Sequence, residues 1–365
     1  MALLIDDLLR DAIAHDASDV HLKADNRPLM RIQGDLVHTD HPVYSSQELH
    51  DTLFSILGDE QKERIENYKE LDLSYYVQGA ARFRVNMYWQ RGKIGAVFRV
   101  IPYKIRTIEE LGLPAVTKKL SLLPRGLILV TGPTGSGKST SLAALINHIN
   151  ESAPNHVMTI EDPIEYVHQD KQAIINQREL GTDTHTFADA LKHVMRQNPD
   201  VILVGEMRDL ETIQLAITAA ETGHLVFSTL HTVDAAQTID RVVDVFPPAQ
   251  QEQVRTQLSV TLQAVVSQTI LPRKDIVGRI AAFEVMVATP AIRTMIRDGK
   301  THQIFKDIQT GGDLGMQTLD AHLFWLLKKG YIDYEHAAAK CSNLGDFEAR
   351  AAREGIITEA THATH

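Results

Sequence analysis

From residue 126 onward, short apolar runs alternate with segments whose apolar residues recur at helical spacing. Such runs are typical of buried parallel strands, and the alternation predicts a mostly parallel sheet with helices on both faces. Strands are predicted at 126–130, 156–160, 201–204 and 225–230. Helices are predicted at 138–150, 186–197, 209–221, 234–244 and 248–266. Beyond them the pattern predicts a hairpin and further helices, at 269–274 with 279–287, from Pro290, and at 318–329.

The first hundred residues follow a different pattern. An amphipathic helix is predicted at 1–15, with short strands at 19–22, 29–33 and 36–38. Ser45 and Glu48 have the spacing of a capping box, which predicts a helix after Ser45.

Apolar residues at 83, 85 and 87 alternate with polar ones, which predicts a hairpin that turns at 91–93 and returns along 94–101. We expect this hairpin at a sheet edge, with Arg82 and Arg84 on its polar face. On composition alone such a pair is a solvated surface feature. The alternative is a clamp that binds a phosphate.

These patterns predict two domains. Residues 1–101 form a small α+β domain, residues 102–125 a proline-spaced connection in which Thr107 and Glu110 cap a short helix, and residues 126–365 an α/β domain.

Composition narrows the class of protein. The 365 residues are 44% hydrophobic and 23% charged, which is typical of a globular protein with a large core. The formal net charge of −10 disfavours a general nucleic-acid binder. One cysteine, Cys341, excludes a disulfide framework and a multi-cysteine zinc site, and suits the cytosol. We recognise neither a signal peptide nor an apolar stretch of about 18 residues, so we expect no membrane insertion.

The strongest chemical motif follows the first strand of the α/β domain. Residues 132–140 match the phosphate-binding pattern G-x-x-x-x-G-K-[ST]. Strand, glycine loop and helix N-terminus aim several backbone N–H groups at one point, where a triphosphate can bind. We expect Lys138 to reach the outer phosphates and the Ser139 hydroxyl to coordinate Mg²⁺. The predicted ATP-binding residues of this loop are Gly132, Pro133, Thr134, Gly135, Ser136, Gly137, Lys138, Ser139 and Thr140.

Acidic residues follow two further strands. Glu161, Asp162 and Glu165 come just after the second strand. Hydrolysis of a phosphate needs a group that orients or deprotonates water, and these carboxylates are candidates. Capping of a turn before Pro163 is the alternative for Glu161 and Asp162. Glu206 ends the third strand, a Walker B arrangement with Glu in place of the common Asp, and is expected to contact Mg²⁺ through water or to position the nucleophile.

Two histidines flank the fourth strand. His231 lies at its carboxyl end with the other motifs, which favours a sensor of the γ-phosphate over a core histidine. His224 lies at the opposite end, where a structural role and nucleotide binding stay equally open. No nearby His or Cys completes a ligand set, so we expect no histidine metal site.

In this order, the phosphate loop and the segments 159–166, 205–212 and 223–232 resemble the hexameric ATPases of the secretion superfamily. Within that superfamily the chain resembles the type IV pilus retraction ATPases, also at 17–22, 81–86 and 289–296. The last segment resembles their A-I-R-N-L-I signature, with Thr294 and Met295 in place of Asn and Leu.

The resemblance implies a RecA-like P-loop ATPase domain, a PAS-like N-terminal domain and a ring of six chains with ATP at the subunit boundaries. It implies that Glu165 is the general base and that Glu206 serves Mg²⁺. It also implies that Arg82, Arg84 and Arg99 contact nucleotide phosphates, which favours the clamp. The implied location is cytoplasmic, peripheral at the inner membrane. The implied partners are a platform protein of the pilus machine and a paralogous pilus ATPase.

The predicted function is an ATP-hydrolysing motor for pilus retraction and twitching motility. A pilus-assembly or type II secretion ATPase is one alternative, although those relatives typically carry a four-cysteine zinc insertion. An accessory retraction paralogue is another. A nucleotide-gated switch without significant turnover is the alternative from a different class, and a DNA-translocating motor is disfavoured by the acidic charge.

Overall fold

The computed structural model describes residues 5–32, 34–79, 81–101 and 105–356. The chain divides into two compact units, Met1–Lys104 with Glu165–Val167, and Ile105–Ile164 with His168–His365. The start of the predicted connection, 102–104, lies outside the described residues. Its remainder belongs to the second unit, where Ile108, Leu113 and Leu120 are buried in a core cluster.

The first unit is an antiparallel sheet with three helices. Its elements are α1 (Ile5–Ala14), β1 (Asp19–Lys23), β2 (Leu29–Ile32), β3 (Asp35–His38), α2 (Ser46–Ser55), α3 (Asp59–Tyr68), β4 (Glu70–Val77), β5 (Ala81–Gln90) and β6 (Lys93–Ile101). The strand order is β3-β2-β1-β6-β5-β4. The capping box at Ser45 is confirmed: its hydroxyl accepts from the Glu48 amide, and the Glu48 carboxylate accepts from the Ser45 amide.

The expected edge position of the 81–101 hairpin is wrong. β5 pairs with β4 and β6 pairs with β1, so both strands are internal. The sequence patterns did not predict β4 or α3. Only Ile65 of α3 is buried, so that helix has almost no apolar periodicity to reveal it.

The second unit surrounds a mostly parallel sheet. Its strands are β7 (Gly126–Thr131), β8 (His156–Glu161), β9 (Ile174–Glu179), β10 (Val201–Val204), β11 (Leu225–Leu230), β12 (Leu262–Pro272) and β13 (Arg279–Val287). The strand order is β13-β12-β7-β11-β10-β8-β9, and only the β12–β13 pair is antiparallel. Its helices are α4 (Val116–Ser121), α5 (Lys138–Ser152), α6 (Phe187–Val194), α7 (Leu210–Glu221), α8 (Ala235–Asp244), α9 (Pro248–Thr261), α10 (Pro290–Arg297), α11 (Ile304–Thr310), α12 (Leu319–Lys328), α13 (Tyr334–Ala338) and α14 (Leu344–Arg353).

The apolar strand runs arise because both faces of this sheet are covered. In β7, Leu127 and Leu129 join one core cluster, while Ile128 and Val130 join another. Every residue of β7 is therefore buried, which explains a continuous apolar run in place of an alternating one.

Two predictions in this unit are wrong. The helix predicted at 248–266 ends at Thr261, where the chain changes direction into β12. Leu258, Leu262 and Val265 keep helical spacing across this junction, so periodicity does not reveal it. The helix predicted inside the connection is only a turn, although its capping hydrogen bonds between Thr107 and Glu110 form. β9, a largely polar edge strand, was not predicted.

Within the described residues, no helix combines the length and the apolar character needed to cross a lipid bilayer.

Candidate nucleotide-binding site

The phosphate loop lies where β7 ends and α5 begins. Gly132, Gly135 and Gly137 have φ angles of 142°, 77° and 88°, which side chains rarely adopt. A Cβ on Gly132 would lie 2.2 Å from the backbone oxygen of Gln268, so only glycine fits. The N-cap residue of α5 is Gly137, which has no side chain with which to cap the helix. The first amide groups of α5 therefore suit an anion, and the loop fits a phosphate group.

Gln268 on β12 holds the phosphate loop in place with a hydrogen bond. Its buried side chain donates from Nε2 to the Ser136 carbonyl oxygen at 2.6 Å. On the neighbouring residue, the Ser267 hydroxyl pairs with that of Thr131 at 2.8 Å. Sequence reasoning missed Gln268 because the helix prediction ran to residue 266. The signal was three consecutive polar residues, 267–269, inside an otherwise apolar run.

Three candidate residues meet at the carboxyl ends of the central strands. Lys138 Nζ donates to the carbonyl oxygens of Gly132 (2.8 Å) and Pro133 (3.1 Å), and lies 3.4 Å from His231 Nδ1. His231 Nε2 lies 3.1 Å from Glu206 Oε1, and Arg208 lies 2.8 Å from Glu206 Oε2.

Glu206 is ionised in this arrangement. Its side chain is 20% exposed, and this burial by itself would raise the pKa of the carboxyl. Hydrogen bonds and charge from Arg208 and His231 outweigh burial, so the pKa of Glu206 lies below its ordinary value. The pKa of Arg208 is raised in turn, mainly by its partner Glu206 and to a smaller extent by Asp162.

The acidic residues after β8 have different surroundings. Glu161 Oε1 accepts from Thr159 Oγ1 at 2.6 Å and from Gln177 Nε2 at 3.1 Å, which fixes its orientation. Asp162 and Glu165 are exposed. The Ile164 amide, one residue before Glu165, donates to the buried carboxylate of Glu179 on β9 at 3.0 Å. β9 therefore anchors the loop that carries Glu165.

The other residues of the loop and His224 occupy distinct places. Ser139 and Thr140 are half-buried in the first turn of α5, while Pro133 and Thr134 are exposed. His224 precedes β11, at the amino ends of the central strands and therefore at the end opposite to the phosphate loop. Its Nδ1 donates to the Ala219 carbonyl oxygen at 2.9 Å. The structure thus does not bring His224 to the phosphate loop of its own chain.

Arg82, Arg84 and Arg99 share one face of the first unit's sheet. Arg84 lies directly opposite Arg99, and Arg99 directly opposite Asp19. Arg99 donates from Nε to Asp19 Oδ1 at 2.8 Å. Burial would raise the pKa of Asp19, but hydrogen bonds from Ser18 and Arg99 hold it below its usual value. Arg84 is exposed, so this face presents positive charge.

A glycine-rich loop between a buried parallel strand and a helix, with Lys138, Glu206 and His231 gathered beside it, defines a P-loop nucleotide-binding protein. Comparison with known proteins identifies the family. A model described as "Type II/IV secretion system protein" matches residues 1–322, and the chain belongs to this family.

Among its relatives, the type IV pilus retraction ATPase PilT of Pseudomonas aeruginosa PAO1 is 52% identical, over 92% of this chain and 97% of its own. A twitching motility protein of Neisseria gonorrhoeae is 50% identical, over 87% and 84%. The crystal structure of the pilus retraction motor PilT with bound ADP matches with a TM-score of 0.89 and 44% identity, over 95% of this chain and 99% of that one. The predicted resemblance and fold class, a RecA-like ATPase domain with a smaller α+β domain, are confirmed.

Proposed function

We propose that this protein is an ATP-hydrolysing motor that powers type IV pilus retraction and twitching motility. The observation that carries the proposal is the meeting of Lys138, Glu206 and His231 beside a phosphate loop, in a chain similar over nearly its whole length to a pilus retraction ATPase. His231 contacts Lys138 directly, and Glu206 contacts it through His231. Two ionisable groups placed in this way suit phosphoryl transfer better than binding of ATP without hydrolysis.

Each of these residues has its own role in the hydrolysis of ATP. Lys138 and the N-terminus of α5 offset the phosphate charge of ATP. The Ser139 hydroxyl would hold Mg²⁺, with Glu206 reaching it through water, and the ion would supply charge that neutralises the outer phosphate oxygens. His231 contacts the γ-phosphate. Glu165 accepts the proton of the attacking water.

The remaining site residues bind or surround the nucleotide. Arg82, Arg84 and Arg99 contact phosphates, and Glu161 and Asp162 border the site. His224 takes part only if a neighbouring subunit brings a nucleotide to it.

Movement follows from the division into domains at 1–101, 102–125 and 126–365. ATP binding closes the N-terminal domain over the RecA-like domain, and product release reopens it. The hinge is the part of the connection that precedes Ile108, because Ile108, Leu113 and Leu120 are buried in a core cluster of the second unit. In a homohexamer, sequential closing turns a platform protein of the inner membrane, with a paralogous pilus ATPase as a further partner. The motor is cytoplasmic and peripheral at that membrane.

Replacing Glu206 by glutamine tests the assignment to Mg²⁺. The amide keeps the volume but loses the charge that Arg208 and His231 now stabilise. We expect kcat to fall about 10- to 100-fold, with the affinity for ADP little changed. Steady-state phosphate release and ADP titration measure the two. Glu211→Gln is the matched control, because Glu211 is an exposed acid that forms a surface ion pair with Lys192. Loss of ADP binding in Glu206→Gln would contradict the assigned role.

The phenotype of a deletion strain tests whether the motor drives retraction or assembly of the pilus. Excess pili without twitching support retraction, while cells without pili would show an assembly ATPase. Retained twitching with reduced force would indicate an accessory paralogue. Wild-type protein that binds ATP but releases no phosphate would be a nucleotide-gated switch.

A further inference from the structure

Glu284 is a buried acid in the middle of β13, among apolar residues. Its side chain is only 4% exposed. One carboxylate oxygen accepts from the Ala235 amide at 2.9 Å, and the Leu319 amide lies close enough to lower the pKa of the carboxyl. Ala235 is the first residue of α8, and Leu319 is the first residue of α12. The preceding strand residue, Phe283, donates from its amide to His322 Nδ1 on α12 at 3.0 Å. The carboxylate is thus bonded to α8 and lies beside the start of α12, to which the neighbouring residue of β13 is bonded.

Ordinary helix capping does not account for this acid, because both helices have side-chain caps of their own. Asp234 accepts from the Gln237 amide in α8, and Thr318 accepts from the Ala321 amide in α12. Burial raises the pKa of Glu284 to about 7, and Asp234 and Asp320 add to the increase, while the Ala235 and Leu319 amides oppose it. A buried acid with negative neighbours is costly to keep, so a second cap alone is a poor reason for it.

The geometry links this acid to the nucleotide site. Only residues 231–234 separate β11 from α8, and they begin with His231, which contacts Lys138 and Glu206. The Thr232 hydroxyl pairs with that of Thr238 inside α8 at 2.6 Å. The position of the His231 loop is thus set by β11 on one side and by the start of α8 on the other.

We propose that Glu284 is a positioning residue that holds the His231 loop through α8 and transmits its displacement to α12. The proposal rests on the function given above, since it takes His231 as a group that responds to nucleotide. When nucleotide draws His231 from Lys138, the start of α8 shifts, and the carboxylate and its strand β13 carry the shift to α12.

The chain contains its own reporter for α12. Of its two tryptophans, Trp325 lies on α12 and Trp89 on β5 in the other unit. Trp325 is 49% exposed and its ring lies 5.7 Å from that of His322 and 6.0 Å from that of Tyr331. In a Trp89→Phe background, intrinsic fluorescence therefore reports on α12 alone.

The test compares Glu284→Gln with this background in the full chain. Glutamine keeps the volume and one acceptor oxygen, but its NH₂ group faces a backbone N–H. We expect kcat to fall about 10- to 100-fold with KM for ATP little changed. We also expect the fluorescence change of Trp325 on adding a non-hydrolysable ATP analogue to disappear while the analogue still binds. Glu284→Asp, which keeps the charge but shortens the reach, should give an intermediate result if glutamine prevents folding.

Glu354→Gln is the matched control. Glu354 is an exposed acid that also contacts α12, where Lys328 donates to its carboxylate at 2.6 Å, and it is not among the groups that shift the pKa of Glu284. We expect near-wild-type turnover and fluorescence response. An equal loss in Glu354→Gln, or an unchanged fluorescence response in a folded Glu284→Gln protein, would overturn the proposal. Because the analogue is not hydrolysed, the fluorescence result stands even if the protein proves not to be a motor.

Discussion

Replacing Lys138 by alanine is expected to reduce ATP turnover by at least about a thousandfold, because the ammonium group of the loop lysine stabilises the charge on the transferring phosphate. In the structure this group lies at the carbonyl oxygens of the loop and beside His231. Phosphate release by the purified variant measures the effect, and ATP-analogue titration shows whether binding is also lost.

Lys192→Ala is the matched control for this change. Lys192 forms surface ion pairs with Glu211 and Asp189, and such pairs contribute little to stability. Its turnover should equal that of the wild type. Undiminished activity of Lys138→Ala would end the proposal that this loop hydrolyses ATP.

Replacing Glu165 by glutamine is expected to lower kcat by about 10²- to 10⁴-fold, since an amide cannot accept the proton of the attacking water. Binding of ATP should survive, because the phosphate loop and Lys138 are untouched. Single-turnover hydrolysis with excess enzyme separates the chemical step from product release.

The neighbouring acids provide the controls for Glu165. Asp162→Asn, at an exposed position, should cost less turnover than Glu165→Gln. Glu161→Gln replaces the charged acceptor of Thr159 and Gln177 with a neutral amide oxygen, which weakens both hydrogen bonds, so its effect should include reduced thermal stability. A larger loss of kcat in either variant than in Glu165→Gln would move the general base to that residue.

In the segment that departs from the A-I-R-N-L-I signature, the arginine binds the end of the preceding helix. Arg293 donates from Nη1 to the carbonyl oxygens of Ser259 and Val260, both at 2.8 Å, at the end of α9. The Thr294 hydroxyl bonds within its own helix to the Pro290 carbonyl oxygen, and Met295 packs against the core. Arg293 thus stabilises the junction at which the helix predicted at 248–266 gives way to β12.

Local signals in the sequence determined much of this protein. The parallel strands follow from apolar runs long enough to bury both faces, and Asp209, Asp234 and Thr289 cap the helices predicted after them. The phosphate loop follows from its glycines, since backbone conformation at such a turn depends on the residues themselves. Each of these features is fixed by residues only a few positions apart.

Only the tertiary structure decided which distant residues support the site. Gln268 reaches Ser136 across 132 positions, and Lys138 reaches His231 across 93. Glu284 contacts Ala235 from 49 positions away. Strand order brings these side chains together, and a polar residue inside a strand gives no local sign of its partner. Sequence therefore identified the phosphate loop and Glu206, whereas the residues that hold the loop in place emerged only when the strands were assembled into a sheet.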